Sequence, residues 1–123
     1  MAAPNIISAT TINGKTTGAN LTSNVATVVL NNAVDSGKCL KVNTLNVANY
    51  GANNASVTVA WYNAANVGGT AFAIAGNVTV PPGGTVTVIQ KNTQYYLEEN
   101  NSLGATTAFA NTLIVTCSYE DIS

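Results

Sequence analysis

The stretch 113–119, LIVTCSY, indicates the fold class more clearly than any other part of the chain. Its odd-numbered positions are Leu, Val, Cys and Tyr, and its even-numbered positions include Thr116 and Ser118. In a β-strand successive side chains point to opposite faces, so this alternation places the odd-numbered side chains together on one face. The stretch therefore predicts a strand with one buried face.

Similar strands recur along the chain and are separated by turn signals. Residues 57–62 (VTVAWY) and 85–89 (TVTVI) alternate in the same way, while 35–38 (DSGK) and 81–84 (PPGG) are typical of turns. No segment combines a helical period with caps, and turns recur about every 8–12 residues. The pattern predicts an all-β fold: one antiparallel β-sandwich domain over 1–123 with eight or nine strands, either jelly-roll or immunoglobulin-like.

The sequence also predicts three local features. Within 39–47 the alternation of apolar residues shifts by one position, because Leu40 and Val42 stand at even-numbered positions and Leu45 and Val47 at odd-numbered ones. This change predicts a β-bulge, or a strand that changes sheets, near 43–44. Asn-Gly at 13–14 predicts a turn closing a strand over 6–12, and 98–102 (EENNS) predicts a turn after a short strand at 95–97.

The composition excludes two classes of partner. Charged residues make up only 7% of the chain, the net charge is −1, and the cations are four lysines. Binding to nucleic acid or to an anionic membrane depends on many clustered cations, so neither is expected. A surface with so little charge lacks the repulsion that keeps monomers apart, which favours packing against copies of itself or a larger assembly.

The residues needed for catalysis are also missing. The chain has no His and no Arg, its acids stand in a turn or as adjacent pairs, and no calcium loop or phosphate loop is visible. We therefore predict no enzymatic activity, no cofactor and no metal site. Cys39 and Cys117 are expected to be buried free thiols in a reducing compartment, in preference to a disulfide or a metal-binding pair. A Lys–Asn isopeptide bond would need a buried acid beside Lys41 or Lys91.

Aromatic and acidic residues form the predicted interaction surface, which consists of Tyr62, Tyr95, Glu98 and Glu99. The pairs at 61–62 and 95–96 have the residue types of a glycan-stacking platform. The alternative is that strand alternation buries one member of each pair and exposes the other.

No targeting segment is apparent in the sequence. Residues 1–5 (MAAPN) lack the cationic and apolar regions of a secretory signal, and no apolar run approaches the ~20 residues of a membrane helix.

Three segments resemble small virion structural proteins of tailed bacteriophages, particularly cyanophages. These segments are 80–89 (VPPGGTVTVI), 96–103 (YLEENNSL) and 117–123 (CSYEDIS), and the opening 1–6 (MAAPNI) is also similar. The virion proteins share a VP-x-x-(T/S)-x-x-x-(V/I) turn and strand, a YLEEGDSL-like hairpin and a C-terminal SYE-(D/E)-IS. Here Asn100-Asn101 replaces the usual Gly-Asp, which preserves the turn but removes one acid.

The resemblance implies a β-sandwich made in the cytoplasm of a bacterial host and then incorporated into a virion. The expected role is a multicopy decoration or cement protein on the capsid exterior. Its expected partners are further copies of itself, preferably as a trimer, and the major capsid protein. The alternatives are a neck, tail or fibre component, or a glycan-binding adhesion module.

Overall fold

The part of the chain that the structure describes folds into nine β-strands arranged in two antiparallel sheets. The structure is a computed structural model, and it describes residues 9–22 and 24–123. A 3-10 helix, Lys91–Thr93, lies between β6 and β7. The strands are β1 (Ile12–Leu21), β2 (Thr27–Asn32), β3 (Cys39–Asn49), β4 (Ala55–Ala64), β5 (Gly68–Val80), β6 (Thr85–Ile89), β7 (Tyr95–Leu97), β8 (Asn101–Thr106) and β9 (Leu113–Ile122).

The strand order identifies the sandwich as a jelly roll. Sheet A has the order β1-β9-β3-β6, with β7 also paired to β3, and sheet B has the order β2-β8-β4-β5. Thus β1 pairs with β9, β2 with β8, β3 with β6 and β4 with β5, as in one long hairpin rolled into two sheets. The predicted single-domain β-sandwich is confirmed, and the strand order selects the jelly roll over the immunoglobulin-like alternative.

The core lies between the sheets and consists of the inward-facing residues of the alternating strands. On β9, Leu113, Val115 and Cys117 are fully buried, whereas Ile114 on the opposite face is 40% exposed. Valines and leucines from both sheets complete the core: Val42, Leu45 and Val47 from sheet A, and Val57, Val59 and Leu103 from sheet B. The alternation seen in 113–119 therefore corresponds to the two faces of a central strand.

The predicted phase change in β3 is a β-bulge. The pairing of β3 with β9 shifts register between Val42 and Thr44, so that Asn43 is the extra residue. Leu40, Val42, Leu45 and Val47 are all buried, because the bulge returns the second pair of apolar residues to the inner face.

The predicted turn at 81–84 is confirmed. Gly84 N donates to Pro81 O at 2.9 Å, and Gly83 has φ +73°, a conformation that glycine adopts without strain.

One local prediction is wrong, and another is confirmed only in part. Asn13 and Gly14 lie inside β1, paired with Asp121 and Glu120, instead of forming a turn; residues 6–8 of the predicted preceding strand lie outside the described residues. The strand predicted at 95–97 is confirmed as β7, but the turn after it is shorter than the predicted 98–102, because Asn101 and Ser102 already belong to β8 and are buried.

Candidate functional site

Charge is distributed unequally between the two sheets. Within the described part of the chain, no strand of sheet B contains a charged residue. The charged residues are confined to sheet A and to the connections between strands. They are Lys15 on β1, Lys41 on β3, Glu120 and Asp121 on β9, and Asp35, Lys38, Lys91, Glu98 and Glu99 in connecting segments. We call sheet B the neutral sheet.

The outer edge of the neutral sheet is β5, a strand of 13 residues. Gly69 to Ala73 are exposed without interruption, so both faces of β5 are uncovered here as well as its edge. Phe72 is 49% exposed and its ring centroid lies 5.2 Å from that of Trp61 on β4. An uncharged edge strand that pairs on one side only and is exposed over 69–73 is a surface on which another chain can pack or pair.

The tip of the β4–β5 hairpin is fixed to the neighbouring strands by hydrogen bonds from its backbone. Ala65 N donates to Asn100 Oδ1 at 3.0 Å, Asn66 N to Asn31 Oδ1 at 2.7 Å, and Val67 N to Ser102 Oγ at 2.9 Å. These bonds hold Asn66 and Val67 at φ +58° and +52°. A positive φ is unfavourable for β-branched Val, so the packing of the tip must compensate for it.

Gly104 on β8 allows the tip to approach the sheet closely. A Cβ at this position would lie 2.5 Å from Val67 Cγ1 and 2.9 Å from Tyr62 Cε1, which is too close for either atom to remain in place. The Tyr62 ring and the Val67 side chain therefore occupy the space above Gly104.

A polar pocket with a volume of about 260 Å³ lies at the end of the sandwich where β1 begins and β9 ends. Asp121 Oδ2 accepts hydrogen bonds from Lys15 Nζ at 2.9 Å and from Lys38 Nζ at 3.2 Å. The Asp121 side chain is only 7% exposed, whereas both lysine side chains are nearly half exposed. We call this site the charged pocket.

The two lysines keep Asp121 ionised in spite of its burial. Burial alone would raise the pKa of Asp121, but the hydrogen bonds from Lys15 and Lys38 and their positive charges outweigh it, so the pKa lies below its ordinary value. The hydrogen bond to Asp121 and its negative charge raise the pKa of Lys15. With two lysines and one aspartate, the charged pocket has a formal net charge of +1.

Uncharged polar groups and two larger side chains complete the pocket wall. Asn32 is buried and donates to the backbone oxygens of Lys38 and Leu97, each at 2.9 Å, while the Ser36 hydroxyl donates to Asn32 Oδ1. Leu40 and Tyr119 line the apolar side of the pocket. The β2–β3 connection is thus fixed in place, and so is Lys38, whose backbone N donates to Ser36 Oγ.

The structure does not bring the predicted interaction residues into one platform. Tyr62 is half-buried on β4 of the neutral sheet, whereas Tyr95 lies on β7 of sheet A and is 37% exposed. Glu98 and Glu99 occupy the turn between β7 and β8; Glu98 is exposed, and both carboxylate oxygens of Glu99 are shielded without a hydrogen-bond partner among the described residues.

The expected alternation of each aromatic pair holds for one pair only. Trp61 packs against the core and Tyr62 lies on the opposite face of β4. Tyr95 and Tyr96 are both exposed, because β7 is a three-residue strand at the edge of sheet A.

Both cysteines are buried free thiols, as predicted. Cys39 pairs with Ile122 whereas Cys117 pairs with Leu45, so the spacing along β9 places their Cα atoms roughly 17 Å apart. A disulfide requires less than about 7 Å. Burial raises the pKa of Cys117 to about 12 and also raises the pKa of Cys39.

The surroundings of Lys41 do not favour an isopeptide bond. Lys41 Nζ lies 3.9 Å from Glu120 Oε2, to which Asn43 Nδ2 donates at 3.1 Å, but the Lys41 and Glu120 side chains are 24% and 33% exposed. Both side chains are therefore partly exposed, whereas an isopeptide bond needs a lysine and an acid that are buried together.

The charged pocket leaves almost no signal in the amino-acid sequence. Lys15 and Asp121 are 106 residues apart in the chain, and Lys38 and Asp121 are 83 apart. The one available signal was the position of Asp121, the next odd-numbered residue after 113, 115, 117 and 119. The strand alternation therefore places its side chain on the same face as the buried residues.

No group of three or more His, Cys, Asp or Glu side chains that could hold a metal ion occurs among residues 9–22 and 24–123. Within the same ranges, no helix has the length and apolar character needed to span a membrane.

These features define a jelly-roll β-sandwich with one neutral sheet and a polar pocket at one end. Its fold is similar to that of a chain in a solved structure of Bacillus endospore appendages, described as a novel family of disulfide-linked pili. The TM-score is 0.54 and the identity 12%, and the alignment covers 92% of this chain and 88% of the other. At this identity the likeness concerns the fold alone. No family model and no curated protein matches the sequence.

Proposed function

We propose that this chain is a non-enzymatic structural subunit that packs in many copies on the outside of a tailed-phage particle, as a capsid decoration protein. The observation that carries the proposal is the neutral sheet, with its uncovered edge strand β5. A four-stranded sheet without a charge is suited to contact with protein, because covering it removes no charged group from water.

Two further observations support a structural role. The sequence resembles phage virion proteins at 80–89, 96–103 and 117–123, and jelly rolls are common in capsid proteins. The fold is also similar to that of a pilus protein. Since one fold serves many functions, these likenesses support the proposal only together with the surface itself.

The contacts between copies are expected to be non-covalent. Both cysteines are buried in the sandwich, and the pKa of Cys117 near 12 leaves very little reactive thiolate. Disulfide links between copies are therefore not expected for this chain.

The first test measures the mass of the purified protein in solution by light scattering. We expect a discrete oligomer, preferably a trimer, that separates into monomers when Ala73→Lys places a charge on exposed β5. Thr116→Lys, on the exposed face of β9 in sheet A, is the matched control and should leave the oligomer unchanged. The thermal melting of both variants shows whether they remain folded.

The second test locates the chain on the particle. Cryo-electron microscopy of purified virions should show density for the jelly roll on the capsid exterior, with β5 at a contact. Density at the neck, tail or fibre would show that the chain is a structural component of that part of the particle instead of the capsid. A strictly monomeric protein that is also absent from purified virions contradicts the proposal.

A further inference from the structure

We propose that the charged pocket binds a monoanionic, hydroxyl-rich small molecule: a single acidic sugar residue whose carboxylate lies between Lys15 and Lys38. The inference concerns an activity separate from the structural role, and it uses a different part of the fold.

The first reason is the surplus of positive charge. One lysine is enough to pair with Asp121, yet Lys15 at 2.9 Å and Lys38 at 3.2 Å both donate to the same oxygen, Oδ2. Each ammonium has three N–H donors, and the contact with Asp121 uses one of them. The remaining donors and the net charge of +1 match a carboxylate, which carries one negative charge and accepts several hydrogen bonds.

The second reason is that the rest of the wall suits a sugar ring. Asp121 Oδ1 can accept a hydrogen bond from a hydroxyl, and Asn31 and Ser36 line the same pocket. Leu40 and Tyr119 provide an apolar wall for the C–H face of a ring. A volume of about 260 Å³ admits one residue of a saccharide, whereas drug-sized ligands occupy pockets of about 300–1,000 Å³.

The third reason is that the binding groups are held in place before a ligand arrives. Asp121 and Asn32 are both at least nine-tenths buried. Asn32 fixes the β2–β3 connection through the backbone oxygens of Lys38 and Leu97. Binding would therefore order little more than the outer parts of the two lysine side chains, which keeps its entropic cost low.

The test is a titration of the folded protein with glucuronate, followed by the amide shifts of an ¹⁵N–¹H NMR spectrum. We expect saturable shifts at Lys15, Ser36, Lys38 and Asp121, and much weaker shifts with glucose, which lacks the carboxylate, or with acetate, which lacks the ring. Methyl glucuronide, whose anomeric oxygen is substituted as in a glycosidic linkage, distinguishes a sugar residue at the end of a polysaccharide from a free monosaccharide. Equal binding assigns the pocket to the end of a polysaccharide, and binding of the free acid alone assigns it to the monosaccharide.

Lys38→Gln is the decisive variant because it removes the surplus charge and leaves the Lys15–Asp121 pair intact. We expect it to weaken glucuronate binding about tenfold or more, the effect of losing one charge-assisted hydrogen bond. Lys41→Gln, on the outer face of sheet A, is the control and should bind as the wild type does.

Three results would overturn the inference. They are the absence of saturable shifts with glucuronate, equal binding of glucose or acetate, and unchanged binding by Lys38→Gln. None of them affects the proposal of a structural subunit, which is tested by the oligomer and the particle.

Discussion

Replacing Gly104 with alanine should destabilise the fold by blocking the approach of the β4–β5 hairpin tip. The new Cβ would lie 2.5 Å from Val67 Cγ1 and 2.9 Å from Tyr62 Cε1. Ordinary carbon contacts are about 3.5–4.0 Å, so Val67 must move by roughly 1 Å. Its side chain has little freedom to turn away, because β-branched residues are stiff at χ1.

The size of the effect follows from what this movement disturbs. Overpacking of a well-packed site costs about 1–3 kcal/mol, and the tip also depends on the 2.9 Å hydrogen bond from Val67 N to Ser102 Oγ. We therefore expect Gly104→Ala to lower the free energy of unfolding by about 2 kcal/mol, which corresponds to a fall of roughly 8 °C in melting temperature.

Urea unfolding followed by the fluorescence of Trp61 measures this loss. The control is Gly76→Ala, since Gly76 also lies in a strand but a Cβ there would have nothing within 4 Å. It should be neutral or stabilising by up to about 1 kcal/mol. Val67→Gly should rescue much of the Gly104→Ala loss, because it removes both the clashing methyl group and the β-branched residue at φ +52°. Equal stabilities of Gly104→Ala and Gly76→Ala, or strict additivity in the double variant, would refute the proposed contact.

Three further predictions concern the charged pocket, the core and the thiols. The two lysine partners hold the pKa of Asp121 below 3.8, so their pairing with Asp121 stabilises the folded state above about pH 4, and this stabilisation is lost as the pH falls through the lowered pKa. Between about pH 5 and pH 2 the melting temperature should therefore fall less for Asp121→Asn than for the wild type. An equal fall in the two proteins would contradict the pairing. Leu113→Ala should lower the free energy of unfolding in urea by about 2–5 kcal/mol and Ile114→Ala by less than about 1 kcal/mol, because Leu113 lies on the buried face of β9 and Ile114 on the exposed face. Similar losses for the two variants would contradict the assigned faces. Cys39 and Cys117 should resist a thiol reagent at pH 8 until denaturant is added, and rapid labelling of the folded protein would contradict their burial.

The local features of the fold were predictable where their cause is also local. The bulge at Asn43 could be predicted because it restores the apolar phase within a single strand, and the turn after Pro81 because proline and glycine restrict the backbone directly. Asn13 and Gly14 have an equally strong local signal, but β1 pairs with β9 along its whole length. Those ladder bonds override the turn preference, and they join residues more than 90 positions apart.

The jelly-roll order and the charged pocket could not be predicted for the same physical reason. Each depends on pairings between the two ends of the chain, which leave no periodic pattern in the sequence. The small number of charged residues was apparent from the composition. That these residues lie only in sheet A and in the connections follows from the order in which the strands pair.

The arrangement of the sheets allows the two proposed surfaces to act at the same time. The uncovered edge, β5, and the strand that contributes Asn32 to the charged pocket, β2, lie at opposite edges of the neutral sheet, with β8 and β4 between them. Three strand spacings of about 4.8 Å separate the two edges, a distance of roughly 14 Å. The tip of the β4–β5 hairpin does reach β2, because Asn66 N donates to Asn31 Oδ1 at 2.7 Å, but a neighbour that packs along β5 beyond this tip would leave the β2 edge uncovered. Glucuronate should accordingly bind the assembled oligomer as tightly as it binds the Ala73→Lys monomer. Loss of binding on assembly would show that the neighbour covers the pocket, and the contact would then have to be assigned to the β2 edge instead of β5.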